Sequence, residues 1–423
     1  MKVLVIGGGG REHALVWKLR QSPSVKEMYC IPGNGGIEEL AECEAIPLSD
    51  FKKIAAYARY HEIDFTVVGP EQPLVDGMVD YFRSQGLAIF GPTRAAAQIE
   101  GSKIFAKNLM AKYGIPTATF REFEDPEPAL AYIDQLPEQP LVVKADGLAA
   151  GKGSIVCKNR ETARQAVDSL MNKRIFQEAG ARILIEEFMR GEEVSIFVIT
   201  DGRDYITLPP AQDYKRALDG GKGKNTGGMG SYAPTPFLTE ELFQRAIREI
   251  VEPTLSALQS EGIEYRGVLY CGLMLTETGP RVVEFNCRFG DPETQVVLPL
   301  LRSDLMEIMQ AVEERRLGQI QVDTRDQYAV CVVLASGGYP DFYQTGKEIT
   351  GLDRLPDQVI AFHAGTRREN GRLVTSGGRV LGITAVSPIL KEATNRVYAA
   401  ISQIYFENMH YRTDIARKAW AAM

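Results

Sequence analysis

The sequence RVVEFNCRFGDPE, from Arg281 to Glu293, joins a strand pattern to an unusual set of polar side chains. Successive side chains of a strand point to opposite faces, so Glu284, Asn286 and Arg288 share one face. Carboxylate and amide oxygens suit Mg²⁺, and an arginine suits an anionic group of a substrate. We therefore expect this strand to line a polar cleft. The alternative is an edge strand whose polar face meets only solvent.

A second strand, in the sequence LVVKADGLAAGKG from Leu141 to Gly153, runs into a loop of small residues. A lysine beneath a glycine-rich loop suits nucleotide phosphates, because the lysine supplies a point charge and the loop supplies backbone N–H donors. The P-loop rule is not met, since Asp146 stands where the first glycine belongs and Gly153 where a Ser or Thr would hold magnesium. A surface hairpin is the alternative.

The sequence ILIEEFMRGEEVS, from Ile183 to Ser195, predicts two strands joined by a short acidic connector. Carboxylate and backbone groups of such a connector could bind the amino group of an adenine, and a later glutamate could bind ribose hydroxyls. Acidic hairpins are usually solvated surfaces, which is the alternative interpretation.

Residues 1–100 alternate short apolar runs with helical stretches, which predicts a βαβ order and a parallel sheet. In such sheets ligands bind beyond the carboxyl ends of the strands, and here those ends carry glycine. The predicted strands are 3–6, 27–31, 65–68 and 88–90, the predicted helices are 12–21 and 50–61, and the glycine-bearing loops are 7–10, 33–36, 69–71 and 91–92. We expect these loops to converge on one site.

The first glycine loop follows a strand and opens a helix, so its backbone N–H groups could receive a phosphate. The dinucleotide pattern Gly-x-Gly-x-x-Gly fails, because Glu12 stands in place of the third glycine and no acidic residue closes the second strand near Cys30. Arg11 beside the glycines favours a phosphate over a tight turn that binds nothing.

The remaining chain and the overall composition limit the possible classes of protein. A helix from about Ser102 to Tyr113 ends at Gly114, residues 141–325 mix strands and helices, and strands at 328–334, 360–364 and 379–386 precede a helix over 388–407. With 423 residues we expect two to four domains, and a net charge of −7 argues against a general grip on nucleic acid. The six cysteines form no Cys-x-x-Cys pair, the four histidines are not spaced as zinc ligands, and no apolar run is long enough for a membrane span. We therefore expect a cytoplasmic protein whose metal, if it has one, is bound through oxygen.

Taken in order, these segments resemble the ATP-grasp enzymes, and within them the phosphoribosylamine–glycine ligase family of purine biosynthesis. Three further segments carry the resemblance, and they are Gly8–Ala14 (GGGREHA), Gln212–Arg216 (QDYKR) and Asn225–Gly230 (NTGGMG). The match covers nearly the whole chain. Gly272 stands where many ATP-grasp enzymes carry an additional acidic metal ligand, so the resemblance assigns only two ligands here.

The resemblance implies an α/β and α+β multidomain protein. Its parts are an N-terminal Rossmann-like domain that binds phosphoribosylamine (1–102), an ATP-grasp region (103–325) with a flap subdomain at about 118–190, and a small β-rich C-terminal domain (326–423). The implied reaction joins glycine to 5-phosphoribosylamine with ATP, through an enzyme-bound glycyl phosphate, and yields glycinamide ribonucleotide, ADP and phosphate. Phosphoryl transfer needs charge neutralisation and positioning rather than a protein nucleophile, which agrees with the lack of a Ser-His-Asp or Cys-His motif.

The resemblance also assigns site residues by motif position. ATP would contact Lys103, Lys144, Gly151, Lys152, Gly153, Glu186, Glu187, the backbone of Met189, and Glu193. Mg²⁺ or Mn²⁺ would be held by Glu284 and Asn286. The catalytic set is Asp213 at the glycine ammonium, Arg288 at the glycine carboxylate and Asp291 at the amine, and these three also count among the substrate-binding residues, with Gly9, Gly10, Arg11, Glu12, Asn34, Gly35, Pro70 and Glu71. We expect a monomer with small-molecule partners only.

Three other functions remain open at this point. An NAD-dependent oxidoreductase would share the first domain, but it leaves Lys144 and the Glu284/Asn286 pair without a task. A nucleotide sensor would bind ATP without turnover. Another carboxylate–amine ligase would share the chemistry and differ in substrate.

Overall fold

The computed structural model describes residues 1–149 and 153–423, without the side chains of residues 177 and 178. Its N-terminal part is a five-stranded sheet of order β3-β2-β1-β4-β5 in which every strand pair is parallel. The elements are β1 Lys2–Gly7, α1 Gly10–Leu19, β2 Glu27–Pro32, β3 Glu42–Cys43, α2 Phe51–Tyr60, β4 Phe65–Val68, α3 Glu71–Val75, α4 Met78–Ser84, β5 Ile89–Phe90, α5 Arg94–Gly101 and α6 Lys103–Tyr113. The predicted parallel sheet is confirmed.

Helix α6 begins and ends where its capping residues predict. The hydroxyl of Ser102 accepts the N–H of Phe105 at 3.1 Å, and Gly114 closes the helix in the left-handed region with φ of 69°. Lys103 is therefore fixed on the first turn of this helix, next to the chain that follows β7.

The next part is a small antiparallel sheet of order β6-β9-β7-β8 with its own apolar core. It contains β6 Phe120–Phe123, α7 Pro126–Gln135, β7 Leu141–Ala145, β8 Ser154–Cys157, α8 Arg160–Val167 and β9 Ile183–Glu187. Strand β7 is buried along its whole length, and this burial holds Lys144 on a rigid element.

The rest of the chain is organised around an eight-stranded antiparallel sheet of order β16-β15-β10-β11-β14-β17-β21-β18. Its strands and the flanking elements are β10 Glu192–Thr200, β11 Tyr205–Asp213, β12 Arg216–Leu218, β13 Lys222–Asn225, β14 Gly230–Ala233, α9 Glu240–Ala246, α10 Glu252–Ser260, β15 Gly267–Thr276, β16 Gly279–Asn286, α11 Thr294–Leu300, α12 Leu305–Glu313, β17 Tyr328–Ala335, β18 Val359–His363, β19 Thr366–Glu369, β20 Arg372–Thr375, β21 Arg379–Ser387, α13 Leu390–Ile401 and α14 Arg417–Ala422. None of the helices in the described residues is both long and apolar enough to cross a membrane.

Three of the C-terminal strands, β17, β21 and β18, extend the central sheet, and β19 pairs with β20 in a separate two-stranded sheet. Strand β14 pairs with β17, with Gly230 opposite Val332 and Ala233 opposite Ala329. The proposed boundary between residues 325 and 326 therefore divides the chain at a point that the hydrogen-bonded sheet spans.

The C-terminal part also packs directly on the N-terminal domain. The ring nitrogen Nδ1 of His13, in α1, accepts the N–H of His363 at 2.8 Å, and the side-chain amide of Asn34 donates to the carbonyl of His363 at 2.9 Å. Burial lowers the pKa of His13 to about 3 and that of His363 to about 4. Both imidazoles are neutral at pH 7, so this contact, which we call the histidine contact, joins the two parts without charge.

Candidate active site

A cleft with a volume of about 740 Å³ lies between the small antiparallel sheet and the eight-stranded sheet. Most of the residues predicted to bind ATP, metal and glycine line it. They are Lys103, Lys144, Gly153, Glu186, Glu187, Met189, Glu193, Asp213, Glu284, Asn286, Arg288 and Asp291, together with Arg11 and Glu71 from the N-terminal domain. Gly151 and Lys152 lie outside the described residues.

One wall of the cleft carries two buried lysines around one carboxylate. The Glu186 carboxylate lies 2.9 Å from the Lys144 ammonium and 3.2 Å from that of Lys107. Lys144 also donates to the carbonyl of Val283, at 3.0 Å, which ties β7 to β16. The second carboxylate oxygen of Glu186, Oε1, is buried and has no hydrogen-bond partner among the described residues. A buried acceptor without a partner costs free energy, so this atom suits a donor from a ligand.

The neighbouring connector offers different groups. The carboxylate of Glu187 accepts from the Thr119 N–H at 3.0 Å and from Arg281 at 2.6 Å. That side chain is therefore occupied. Glu193 pairs with Lys215 at 2.9 Å and is 43% exposed, so it remains accessible from the cleft.

The floor of the cleft is a dense group of charges at the ends of β11 and β16. Burial raises the pKa of Asp213 to about 7, while Lys215 opposes this shift and Glu293 adds to it. Burial acts in the same direction on Glu284, but the charges of Lys215, Lys144 and Lys103 outweigh it and hold the pKa of Glu284 below its usual range. Glu284 is therefore a carboxylate at pH 7.

Arg288 is held by acidic groups from the N-terminal domain. Its guanidinium lies 2.8 Å from Glu100 and 3.1 Å from Glu71, and it donates to Oδ1 of Asn286 at 3.3 Å. Burial alone would lower the pKa of Arg288, but Glu100 and Glu71 raise it. Burial alone would raise the pKa of Glu71, but the charges of Arg288 and Arg11 lower it to about 2. Arg288 and Glu71 therefore stay ionised, whereas burial raises the pKa of Glu100. Together the three side chains fix the guanidinium at the mouth of the cleft.

A second cavity, of about 340 Å³, lies at the glycine loops of the first sheet. The N-terminal domain supplies Gly8, Gly9, Gly33 and Asn34, and the C-terminal part supplies Tyr339, Ala364, Gly365, Thr366, Ser376 and Arg379. A Cβ atom at Gly8 would overlap the carbonyl oxygen of Gly33, so only glycine lets these two loops approach each other so closely. Asp291 completes the lining of this cavity and also lines the larger cleft.

Several residues expected at the phosphoribosylamine site are used differently. The Arg11 guanidinium lines the larger cleft, where it contacts Glu12 at 2.6 Å and donates to the carbonyl of Phe289 at 3.1 Å. Glu12 accepts the N–H of Gly9 at 2.6 Å and thereby caps helix α1. Gly35 donates its N–H to Thr366 at 3.1 Å. Gly10, Glu12, Gly35 and Pro70 line neither cavity among the described residues, and Arg11 does not line the second one.

Other lining residues were absent from the sequence-based assignment. Lys215 and Glu293 stand inside matched motifs, QDYKR and GDPE, and could have been singled out there. Tyr339, Thr366, Ser376 and Arg379 line the second cavity but lie in stretches with no distinctive motif. No local signal in the sequence marks them.

Comparisons with known proteins agree with this architecture. Models of the phosphoribosylglycinamide synthetase N domain, ATP-grasp (A) domain and C domain match residues 1–100, 101–294 and 329–418. The phosphoribosylamine–glycine ligase of Caldanaerobacter subterraneus subsp. tengcongensis is 49% identical over 416 residues, which cover 98% of this chain and 99% of that protein. The trifunctional purine biosynthetic protein adenosine-3 of Gallus gallus is 47% identical over 99% of this chain and 42% of its own length.

A solved structure agrees as well. The crystal structure of a phosphoribosylamine–glycine ligase from Thermotoga maritima matches with a TM-score of 0.84 at 35% identity and covers 98% of this chain and 100% of that chain. Three family models in the expected order, a near full-length relative and a matching solved fold lead to one conclusion: the chain belongs to the phosphoribosylglycinamide synthetase family of ATP-grasp ligases.

Proposed function

We propose that the protein uses ATP to join glycine to 5-phosphoribosylamine, and so forms glycinamide ribonucleotide, ADP and phosphate in purine biosynthesis. The observation that carries this proposal is the meeting of two cavities at Asp291. One cavity has the lysines and carboxylates that suit a nucleotide and an amino acid, and the other has the glycine loops that suit a sugar phosphate. A ligase that joins two substrates needs such a junction.

ATP-grasp ligases in general use ATP with Mg²⁺ or Mn²⁺. We place the adenine of ATP against Glu186 and the backbone of Glu187 and Met189, because the unpaired Oε1 of Glu186 suits the adenine amino group. The ribose faces Glu193, and the phosphates face Lys103 and Lys144, while Gly151, Lys152 and Gly153 are assigned to the phosphates by motif position. Burial lowers the pKa of Lys103, although Glu284 opposes this effect, so a phosphate there would favour the charged ammonium.

Glu284 and Asn286 fit a divalent cation. The Glu284 carboxylate makes no hydrogen bond or ion pair with any described residue, yet three lysines keep it ionised. Carboxylate and amide oxygens are hard donors, which suit Mg²⁺ and Mn²⁺. A cation there would neutralise phosphate charge during the transfer, and the two side chains would hold it beside Lys103 and Lys144.

Glycine is assigned to the floor of the same cleft. Asp213 faces its ammonium and Arg288 its carboxylate, and Arg288 is kept in place by Glu100 and Glu71. In this arrangement Glu71 and Arg11 orient other side chains, and the sugar phosphate binds chiefly to the second cavity, with Gly9, Asn34, Thr366 and Ser376.

The reaction has two steps. A glycine carboxylate oxygen bonds to the γ-phosphorus, the bond from that phosphorus to the bridging oxygen breaks, and ADP leaves with the electron pair. The amine nitrogen then bonds to the glycyl carbonyl carbon, phosphate leaves with the electron pair of the broken C–O bond, and the nitrogen passes one proton to Asp291 and from there to water. The protein supplies position, charge and shielding from water, so no covalent enzyme intermediate is needed.

Substrate omission tests the proposal. We expect phosphate release from ATP to require glycine and phosphoribosylamine together, with the amine formed in place from ribose 5-phosphate and ammonia. ATP binding without such turnover would favour a nucleotide sensor. Equal turnover with a larger amino acid or another amine would favour a different carboxylate–amine ligase.

A further inference from the structure

The two cavities share two described residues, Asp291 and Arg379. Arg379 is the first residue of β21 and lies far along the chain from the motifs of the larger cleft. Its side chain is 21% exposed, so most of the guanidinium is covered and only part of it faces the cavities.

Arg379 contacts Asp291 through two of its guanidinium nitrogens. Its NH2 group lies 3.0 Å from Oδ2 of Asp291, and its NH1 group donates to the Asp291 carbonyl at 2.8 Å. NH1 also donates to the carbonyl of Gly227 at 2.8 Å, in the NTGGMG segment. One guanidinium thus joins Asp291 to a neighbouring loop, a geometry that a lysine, with its single charged atom, cannot reproduce.

The other oxygen of the carboxylate is held independently. Oδ1 of Asp291 accepts from the side-chain amide of Gln295 at 2.7 Å. Each carboxylate oxygen has two lone pairs, so Asp291 retains acceptor capacity for a ligand after both contacts. The orientation of the Asp291 carboxylate is therefore fixed from two sides.

We propose that Arg379 is a positioning residue, which holds the Asp291 carboxylate toward the amine of the sugar-phosphate substrate where the two cavities meet. This inference rests on the proposed function. It adds a residue of the C-terminal part to the ligation step, and it separates the attack of the amine, which needs Arg379, from nucleotide binding, which does not.

The test uses the full-length chain with Arg379→Met, Arg379→Lys, Asp291→Asn and the double variant. We expect Arg379→Met to lower kcat at least 10-fold and to raise the KM for phosphoribosylamine, while the KM for ATP and the affinity for a non-hydrolysable ATP analogue stay within about twofold of the wild type. Arg379→Lys should show an intermediate loss. If Arg379 acts through Asp291, its removal should cost less than twofold in the Asp291→Asn background.

Arg372→Met is the matched control, because Arg372 is 70% exposed on the β19–β20 hairpin and lines neither cavity. It should leave all constants within twofold. The inference is overturned if Arg379→Met keeps wild-type kcat and KM, if ATP affinity falls as much as turnover, or if the two substitutions have independent effects. A wild-type protein without glycine- and amine-dependent turnover would instead overturn the proposed function.

Discussion

Lys144 shows how a single side chain can serve both fold and site. It neutralises the buried Glu186 carboxylate and reaches the carbonyl of Val283, yet it also lines the cleft. A charge-assisted hydrogen bond to a phosphate is worth about 1.5–3 kcal/mol. We therefore expect Lys144→Ala to raise the dissociation constant of an ATP analogue about 10- to 100-fold in calorimetry.

Lys173→Ala provides the control, since Lys173 is 67% exposed and pairs with Asp168 at the surface. It should leave ATP affinity unchanged. Thermal unfolding of both variants would show whether the fold survives. Unchanged affinity in a folded Lys144→Ala protein would contradict the role at the phosphates.

The raised pKa of Asp213 makes the free energy of unfolding depend on pH. Because burial raises its pKa to about 7, the folded protein holds a proton that the unfolded chain releases near pH 4. The folded state thus binds more protons between these values, and the stability contributed by this group falls as the pH rises from about 4 to 7. Asp213→Asn removes the effect.

We expect the melting temperature of Asp213→Asn relative to the wild type to rise by about 1–3 °C between pH 5 and pH 8. Asp341→Asn is the control, because Asp341 is 62% exposed and pairs with Lys224 at the surface. A difference that does not vary with pH would show that Asp213 is ionised in the folded protein at low pH.

Helix α5 illustrates how an element delivers a group to a distant site. Its residue Glu100 accepts the N–H of Cys287 at 2.8 Å and pairs with Arg288 at 2.8 Å, just beyond the end of β16. Burial raises the pKa of Glu100, and Glu100→Gln keeps the shape while it removes the ionisable carboxyl group. We expect this substitution to raise the KM for glycine about 10-fold, because it holds Arg288 less firmly. The affinity for ATP should be unchanged in the same assay.

The matched control is Gln98→Ala, two residues earlier on α5, whose side-chain amide donates to the exposed carbonyl of Arg94 at 3.4 Å. It should behave as the wild type. If Glu100→Gln raised the KM for ATP and glycine equally, Glu100 would support the cleft as a whole and not Arg288 in particular.

Elements with strong local signals were predictable from the sequence. Ser102 and Gly114 mark the ends of α6, and the apolar runs mark the strands of the parallel sheet, because capping and burial act within a few residues. Glu12 was harder to interpret. It breaks the dinucleotide pattern, and the structure shows that it caps α1, which begins at Gly10 instead of residue 12.

The assembly of the whole molecule was less predictable. The motifs indicated that Lys144, Glu186, Asp213 and Glu284 meet in one cleft, and they do. The sequence did not indicate that β17 would continue the central sheet and bring Arg379 to Asp291, because that contact joins residues 88 positions apart. The sequence also did not indicate that Arg11 would contact Glu12 and the Phe289 carbonyl, and its role at a phosphate stays a prediction.

The histidine contact between the first and last parts of the chain predicts sensitivity to acid. Burial holds the pKa of His13 at about 3 and that of His363 at about 4, below the 6.5 of an exposed imidazole. The unfolded chain binds these protons first, so stability is lost as the pH falls below 6.5, by about 1.4 kcal/mol per histidine per pH unit.

We expect the melting temperature of His363→Gln to fall less than that of the wild type when the pH is lowered from 7 to 5. His61→Gln, at the end of α2, is the control and should follow the wild type. An equal fall in melting temperature in all three proteins would show that other groups cause the loss of stability in acid.

The pairing of β14 with β17 also limits how such chains can be recombined. A crossover between two relatives at Ser102 leaves each sheet with strands from one parent, because the parallel sheet ends at Phe90 and the next strand begins at Phe120. A crossover between Ala233 and Tyr328 would instead combine strands from two parents in the eight-stranded sheet. Side chains that did not evolve together would then have to pack against each other across that sheet. Chimaeric proteins of this family should therefore tolerate exchange of the first hundred residues far better than exchange of the last hundred.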